Sequence, residues 1–209
     1  MLIDRGIDLL SRDQQEMTAL FYAVLYGPVK HVKLLMRQVM LQTWQQFRAQ
    51  QKKIKLQEYP LETLLSLAYD PVDARGTTPL FWAAWAGRAP VVSALLSDEI
   101  STSPNTRLRK TPLADVRARD LTGRTVLHVV VSGLHHALTQ RMLSRARGVV
   151  NCLALLLKMD TDPRAVDHYD NTPLHVLSAV PIRIDHAGDS RAALIVRTAE
   201  LLLTAGTPL

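Results

Sequence analysis

Between Asp73 and Leu96 the chain reads DARGTTPLFWAAWAGRAPVVSALL, and its apolar positions predict two short helices. Leu80, Ala83 and Ala84 fall at i, i+3, i+4, one face of a helix whose alanines allow a neighbouring helix to come close. Val91, Val92, Leu95 and Leu96 fall at i, i+1, i+4, i+5, a second buried stripe. The polar punctuation agrees. Thr78 suits an N-cap, with its hydroxyl accepting from a free backbone N–H. Pro79 follows at the first helical position, where its missing N–H is not needed. Gly87 stops the first helix in the left-handed region, and Pro90 opens the second. Upstream, Asp73-Ala74-Arg75-Gly76 has turn chemistry, with Gly76 taking positive φ. A turn-helix-turn-helix unit of this size cannot bury its apolar face alone and needs stacked neighbours.

The pattern recurs in order. Thr18 to Met36 carries Thr18-Ala19-Leu20, Ala23, Gly27 and then Val32, Leu34 and Leu35. Asp120 to Met159 carries Asp120, Gly123, Thr125, Leu127 and His128, with Val126 in the proline position and Val129 to Val131 in place of the alanines. Asp167 to Gly206 carries Thr172-Pro173-Leu174-His175, with Asp170 in place of the tip glycine, where it must tolerate an awkward φ or alter the hairpin. Spacings between corresponding residues are uneven because segments intervene. Residues 37–70 lack glycine and are rich in helix formers. Met36, Met40, Trp44, Phe47 and Ile54 lie at helical spacing, so the second helix is expected to run on, break at Tyr59-Pro60, and return through Leu61, Leu64, Leu65 and Ala68 as an inserted helical hairpin. Residues 98–116 have loop composition. Leu134 to Gly148 reads as an insertion after an early Gly133, and 181–190 as a loop.

The motifs D-x-x-G-x-T-P-L, A-A-x-x-G and V-V-x-x-L-L resemble the ankyrin repeat. The fold this implies is an all-α ankyrin-repeat solenoid of stacked helix-turn-helix units with β-turn or hairpin fingers. The expected organisation is one domain over 1–209: a partial repeat at 1–10, repeat 1 at 11–36, the helical insertion at 37–70, repeat 2 at 71–97, a loop at 98–116, repeat 3 at 117–160 with insertion 134–148, and repeat 4 at 164–206 with insertion 181–190. The resemblance implies a non-enzymatic scaffold or adaptor that binds another protein through its concave face and hairpin tips. Carried over by position, the first-helix sites are Tyr22, Leu25, Tyr26, Trp82, Trp85, Ala86, Val129, Ser132, Val176 and Ala179. The tip sites are Arg75, Arg119 and His168. Tyr22, Tyr26, Trp82 and Trp85 would form one aromatic patch, of the residue types that anchor interfaces, unless the inserted hairpin or neighbouring loops cover it. His128 and His175 match the family's turn-bonding histidine.

Composition narrows the rest. The chain has 209 residues, 47% of them hydrophobic and 21% charged, as in globular proteins. No run of 18 apolar residues occurs, so no membrane span is expected. Asp4, Arg5 and Asp8 interrupt the apolar start, against a signal peptide. The single cysteine, Cys152, admits no internal disulfide and suits an intracellular, cytoplasmic or nuclear, setting; among leucines it reads as a small core residue. No cofactor, metal or small-molecule substrate is expected. His135-His136 lacks ligands at metal spacing. Asp185, His186, Asp189 and Ser190 hold the letters of a triad but share one loop, whereas triads are assembled from distant segments. The net charge of +6 is mild, and Arg107–Lys110 and Arg141–Arg147 lack interleaved aromatics, which argues against nucleic acid. The basic stretch 37–58, with Arg48, Lys52, Lys53 and Lys55 beside Trp44, Phe47 and Ile54, offers an alternative surface for calmodulin or an anionic surface. A further alternative is the regulatory repeat region of a larger multidomain protein.

Overall fold

The computed structural model describes residues 7–54, 68–97, 114–179 and 190–206. Among them lie eight helices: α1 Ala19–Tyr26, α2 Val29–Ile54, α3 Pro79–Trp85, α4 Ala89–Leu96, α5 Val126–Thr139, α6 Leu143–Leu156, α7 Pro173–Ser178 and α8 Ser190–Gly206. The only described extended pairing is an isolated antiparallel bridge between Arg119 and Thr125. Residues 1–6 of the partial repeat expected at 1–10, most of the return helix (Leu61, Leu64, Leu65), residues 98–113 of the loop expected at 98–116 and residues 181–189 of the insertion expected at 181–190 lie outside the described residues; Ala68, the last position expected of that return helix, is helical and buried. The described helices pair in sequence order, α1 with α2 and α5 with α6, and α7 packs on α8.

Two compact units divide the chain, residues 1–79 with 94–115 and residues 80–93 with 116–209. In the first, Leu20, Phe21 and Val24 of α1 are buried with Val32, Met36 and Val39 of α2. Tyr69 is buried too, its hydroxyl donating to Met36 O. In the second, α6 packs on both α5 and α8, and α5 on α7. Val126, Leu127, Val130, Leu134, Val149, Cys152, Leu153 and Leu156 fill that core. Cys152 is fully buried there, and that burial pushes its thiol up to about 12, away from the thiolate form.

Four turns repeat one design. In each, an aspartate Oδ1 accepts two backbone N–H groups, from the residues two and four positions on. The sets are Asp13 with Gln15 and Met17, Asp73 with Arg75 and Thr77, Asp120 with Thr122 and Arg124, and Asp167 with Tyr169 and Asn171, all at 2.8–3.0 Å. The fourth residue of each turn has positive φ: Glu16 at 61°, Gly76 at 74°, Gly123 at 77° and Asp170 at 59°. Asp170 thus takes the strained conformation its position demands, and Glu16 does the same in the first turn. The carboxylate satisfies backbone donors that a tight turn would otherwise leave open.

The starts of the first helices differ from expectation. Thr78 Oγ1 is buried with no hydrogen-bond partner among the described residues, and Thr18 makes no side-chain cap bond. At both helix starts the residue three positions on is a buried phenylalanine, Phe21 or Phe81, which offers the threonine nothing. Where histidine stands there instead, the cap forms: Thr125 N–H and Oγ1 meet His128 Nδ1 at 3.1 and 2.9 Å, and Thr172 meets His175 at the same distances.

Gly133 does not end a helix. α5 runs through it to Thr139, and α6 begins at Leu143, so residues 134–148 lengthen both helices around a short turn. The glycine is a packing residue: a Cβ there would stand 2.5 Å from Trp85 O. Gly87, at φ 71°, and Gly148 are similarly pressed together, a Cβ on Gly148 overlapping Gly87 O.

Candidate protein-binding surface

In the first unit the exposed side of α1 carries two tyrosines. Tyr26 is 79% exposed and Tyr22 is 46% exposed, while Leu25 is half-buried. The Tyr22 hydroxyl donates to Asp13 Oδ2 at 2.5 Å, tying the helix to its own turn. This bond holds the Asp13 carboxyl below its ordinary range and the Tyr22 phenol above its own. Tyr26 therefore presents a free ring edge and Tyr22 an oriented one. Arg75 projects from the second turn and is exposed. That turn joins the first by a bond from Ala74 N–H to Gln15 O at 3.0 Å, and Arg12 Nη1 donates to Val72 O at 2.6 Å.

In the second unit α3 carries Trp82 and Trp85, both half-buried, with rings edge-to-face at 5.8 Å. Trp85 is held on its other sides. The Arg145 guanidinium lies 4.1 Å from the ring centroid, the His136 ring 5.2 Å away, and Arg145 Nη2 donates to Trp85 O at 3.2 Å. Guanidinium stacking on an indole is a favourable cation–π geometry, and desolvation lowers the Arg145 pKa. Arg145 and His136 sit 60 and 51 positions away in sequence, outside the helix and tip positions that the motif points to. Gly133 and Gly148, which let α5 and α6 approach this corner, are the sequence signal that could have found them.

The turns of this unit repeat the bonds of the first. His168 N–H donates to Thr122 O at 3.0 Å, and Arg119 Nη1 donates to Gly123 O at 2.7 Å and Val166 O at 2.6 Å. Arg119 is thus a clamp between turns rather than a free tip. Burial pushes the Asp120 carboxyl up, but hydrogen bonds from Thr122 and Arg124 more than reverse this and leave it below its usual range. His168 is exposed, and its ring lies against the space a side chain on Gly123 would need. Val176 is half-buried; Ala179 is exposed, whereas Val129, expected at the surface, is buried in the core.

His128 links the two turns from below. It is fully buried, its Nδ1 accepts from Thr125, and its Nε2 therefore carries the proton and donates to Asn171 O at 2.8 Å. Desolvation lowers its pKa, so the imidazole is held neutral. A cleft of about 390 Å³ beside Val116, Arg117 and Thr125 has walls of both signs, and the exposed Arg117–Asp160 pair bridges them. Among the described residues no group of three or more histidines, cysteines or carboxylates is placed to hold a metal, and no helix is long and apolar enough to cross a membrane.

The tyrosine pair and the tryptophan pair belong to different units, so each is a surface by itself. A comparison with family models matches residues 75–107 to the ankyrin repeat. No curated protein matches the chain.

Proposed function

Since this chain carries an ankyrin repeat, a generic protein–protein interaction module, we propose that it is a solenoid of four such repeats acting as a scaffold or adaptor. The stacking reading is supported by the bond set that recurs from turn to turn within each unit: Ala74 N–H to Gln15 O with Arg12 to Val72 O, and His168 N–H to Thr122 O with Arg119 to Val166 O. Recognition falls to the first-helix positions and tips. The observation that carries it is the exposure of large aromatic side chains where the repeat's own packing does not need them, Tyr26 above all. Tyr22, Leu25, Tyr26, Arg75, Trp82, Trp85, His168 and Val176 are the contact residues of this proposal. Arg119 contributes indirectly, by fixing the third and fourth turns.

The test is affinity capture from a cell extract with wild type and with Tyr26→Ala/Trp82→Ala, both shown to be folded by circular dichroism. These two are chosen because Trp85 is wedged by Arg145 and Gly133. Partners bound by wild type and lost from the double variant support the reading; partners retained by both refute it. A second reading places binding on the basic inserted helix, and one observation favours it: α2 runs unbroken from Val29 to Ile54 without a single acidic residue.

A further inference from the structure

α2 has two stripes, and its own unit uses one of them. Val32, Met36, Val39 and Thr43, spaced 4, 3, 4, are buried. On the opposite side Lys30, Leu34, Arg37, Leu41, Trp44 and Arg48, spaced 4, 3, 4, 3, 4, are all exposed. At 100° per residue these six fall within about 80° of one another, on a line running about 27 Å along the helix. Their spacing is that of a coiled-coil seam, in which alternate steps of three and four keep side chains facing a partner helix. Leu34, Leu41 and Trp44 are 44–48% exposed. Large apolar side chains aligned in this way on a solvent face mark an interaction site more than scattered ones do.

Charge says what fits. The 26 residues of α2 hold Lys30, Lys33, Arg37, Arg48, Lys52 and Lys53 and no aspartate or glutamate. The helix thus carries six positive charges, equal to the net charge of the whole chain, +6. Among the described residues no ion pair engages Lys30, Arg37 or Arg48. The basic residues interrupt the apolar line instead of flanking it. A membrane-surface helix keeps its cations at the edges of a broad apolar face; sinking Leu34 and Leu41 into acyl chains would carry Arg37 with them. A facing helix has no such difficulty, because carboxylates on its own seam can meet each cation in turn.

We propose that the outer stripe of α2 is a docking seam for an acidic amphipathic helix of a partner protein, one whose seam alternates apolar residues with Asp or Glu. This rests on the second reading above and not on the aromatic surfaces. The probe is a synthetic helical peptide with Leu and Glu alternating on one seam, titrated by calorimetry into the full chain, beside a peptide with Lys for each Glu and beside phosphatidylcholine/phosphatidylserine vesicles. The Glu peptide is expected to bind, Arg37→Glu/Arg48→Glu to weaken it at least tenfold, and the Lys peptide to bind the charge-reversed variant instead. All changed residues are exposed, and circular dichroism checks the fold. Failure of the Glu peptide to bind, or binding indifferent to the charge reversal, overturns the proposal. Binding to vesicles without binding to the peptide also overturns it, while leaving an anionic surface as the partner of the basic helix.

Discussion

His128 and His175 occupy the same place in the same motif, yet their substitution by leucine should have unequal consequences. His128→Leu removes three interactions in a buried setting. Thr125 N–H, left with no acceptor when His128 Nδ1 is gone, becomes a buried orphan donor, which costs about 1–3 kcal/mol. The bond from Nε2 to Asn171 O contributes about 1 kcal/mol, and its loss is softened because Asn171 O still accepts from Asp167 N–H at 3.0 Å. The total is about 2–4 kcal/mol, a large part of an ordinary domain's stability. His175 makes the same Thr172 bonds but is exposed, so water takes over the freed groups and His175→Leu should cost about 0.5 kcal/mol. Urea unfolding followed by far-UV circular dichroism measures both. A second readout is pH. The His128 pKa is lowered in the fold, so the unfolded chain takes up the proton first; the stability this residue contributes is present above about pH 6.5 and is lost as pH falls below it. Wild type should show that loss and His128→Leu should lack it. Equal costs for the two substitutions, or a larger one for His175, would refute the reasoning that burial and the link to Asn171 set the value.

Three further outcomes follow from single contacts. Gly133→Ala gains about 1 kcal/mol of helix propensity but places a methyl 2.5 Å from a backbone oxygen of Trp85; overpacking of about 1–3 kcal/mol should prevail, lowering the thermal midpoint and changing tryptophan fluorescence, whereas substitution of the exposed Asn151 of α6 by alanine should do neither. Burial raises the Asp70 carboxyl to about 7, against a lowering from the Asp115 N–H it accepts, and leaves Oδ1 without a partner among the described residues. The fold therefore holds its proton longer than the unfolded chain, and the stability from this group is present below about pH 4 and lost as pH rises through 7; Asp70→Asn should match wild type at pH 4 and exceed it at pH 8 by on the order of 2 kcal/mol, as read by urea midpoints at the two pH values. Arg119→Ala should loosen the third and fourth turns, seen as faster amide exchange at Gly123 and His168, while Arg75→Ala should leave exchange in its own turn unchanged.

Local chemistry made much of this legible. The aspartates at 73, 120 and 167 and the tip residues Gly76 and Asp170 could be read because a turn's hydrogen bonds lie within five residues; Asp13 escaped because its turn carries Glu16 where the motif has glycine. The long α2 was legible because nothing between Val29 and Ile54 breaks a helix. What escaped depends on distant partners. Gly133 looks like a stop signal, since sequence cannot distinguish a glycine that ends a helix from one that lets Trp85 approach. Arg119 looks like a free tip until Val166 O is placed beside it. Thr78 looks like a cap, but Phe81, where a histidine would pair with it, offers no partner, and none of the other described residues does. The outer seam of α2 was hidden for a similar reason: Trp44 and Met36 share a helical spacing, but one is exposed and the other buried, and the core that decides between them lies on α1.

The central claim is that a protein partner is recognised through the first helices of the repeats. Amide hydrogen exchange of the chain, free and saturated with a captured partner, tests it most directly. The account predicts new protection over Ala19–Tyr26 and Pro79–Trp85, and at the turns bearing Arg75 and His168. Protection confined to Val29–Ile54, with those first helices unchanged, would contradict it.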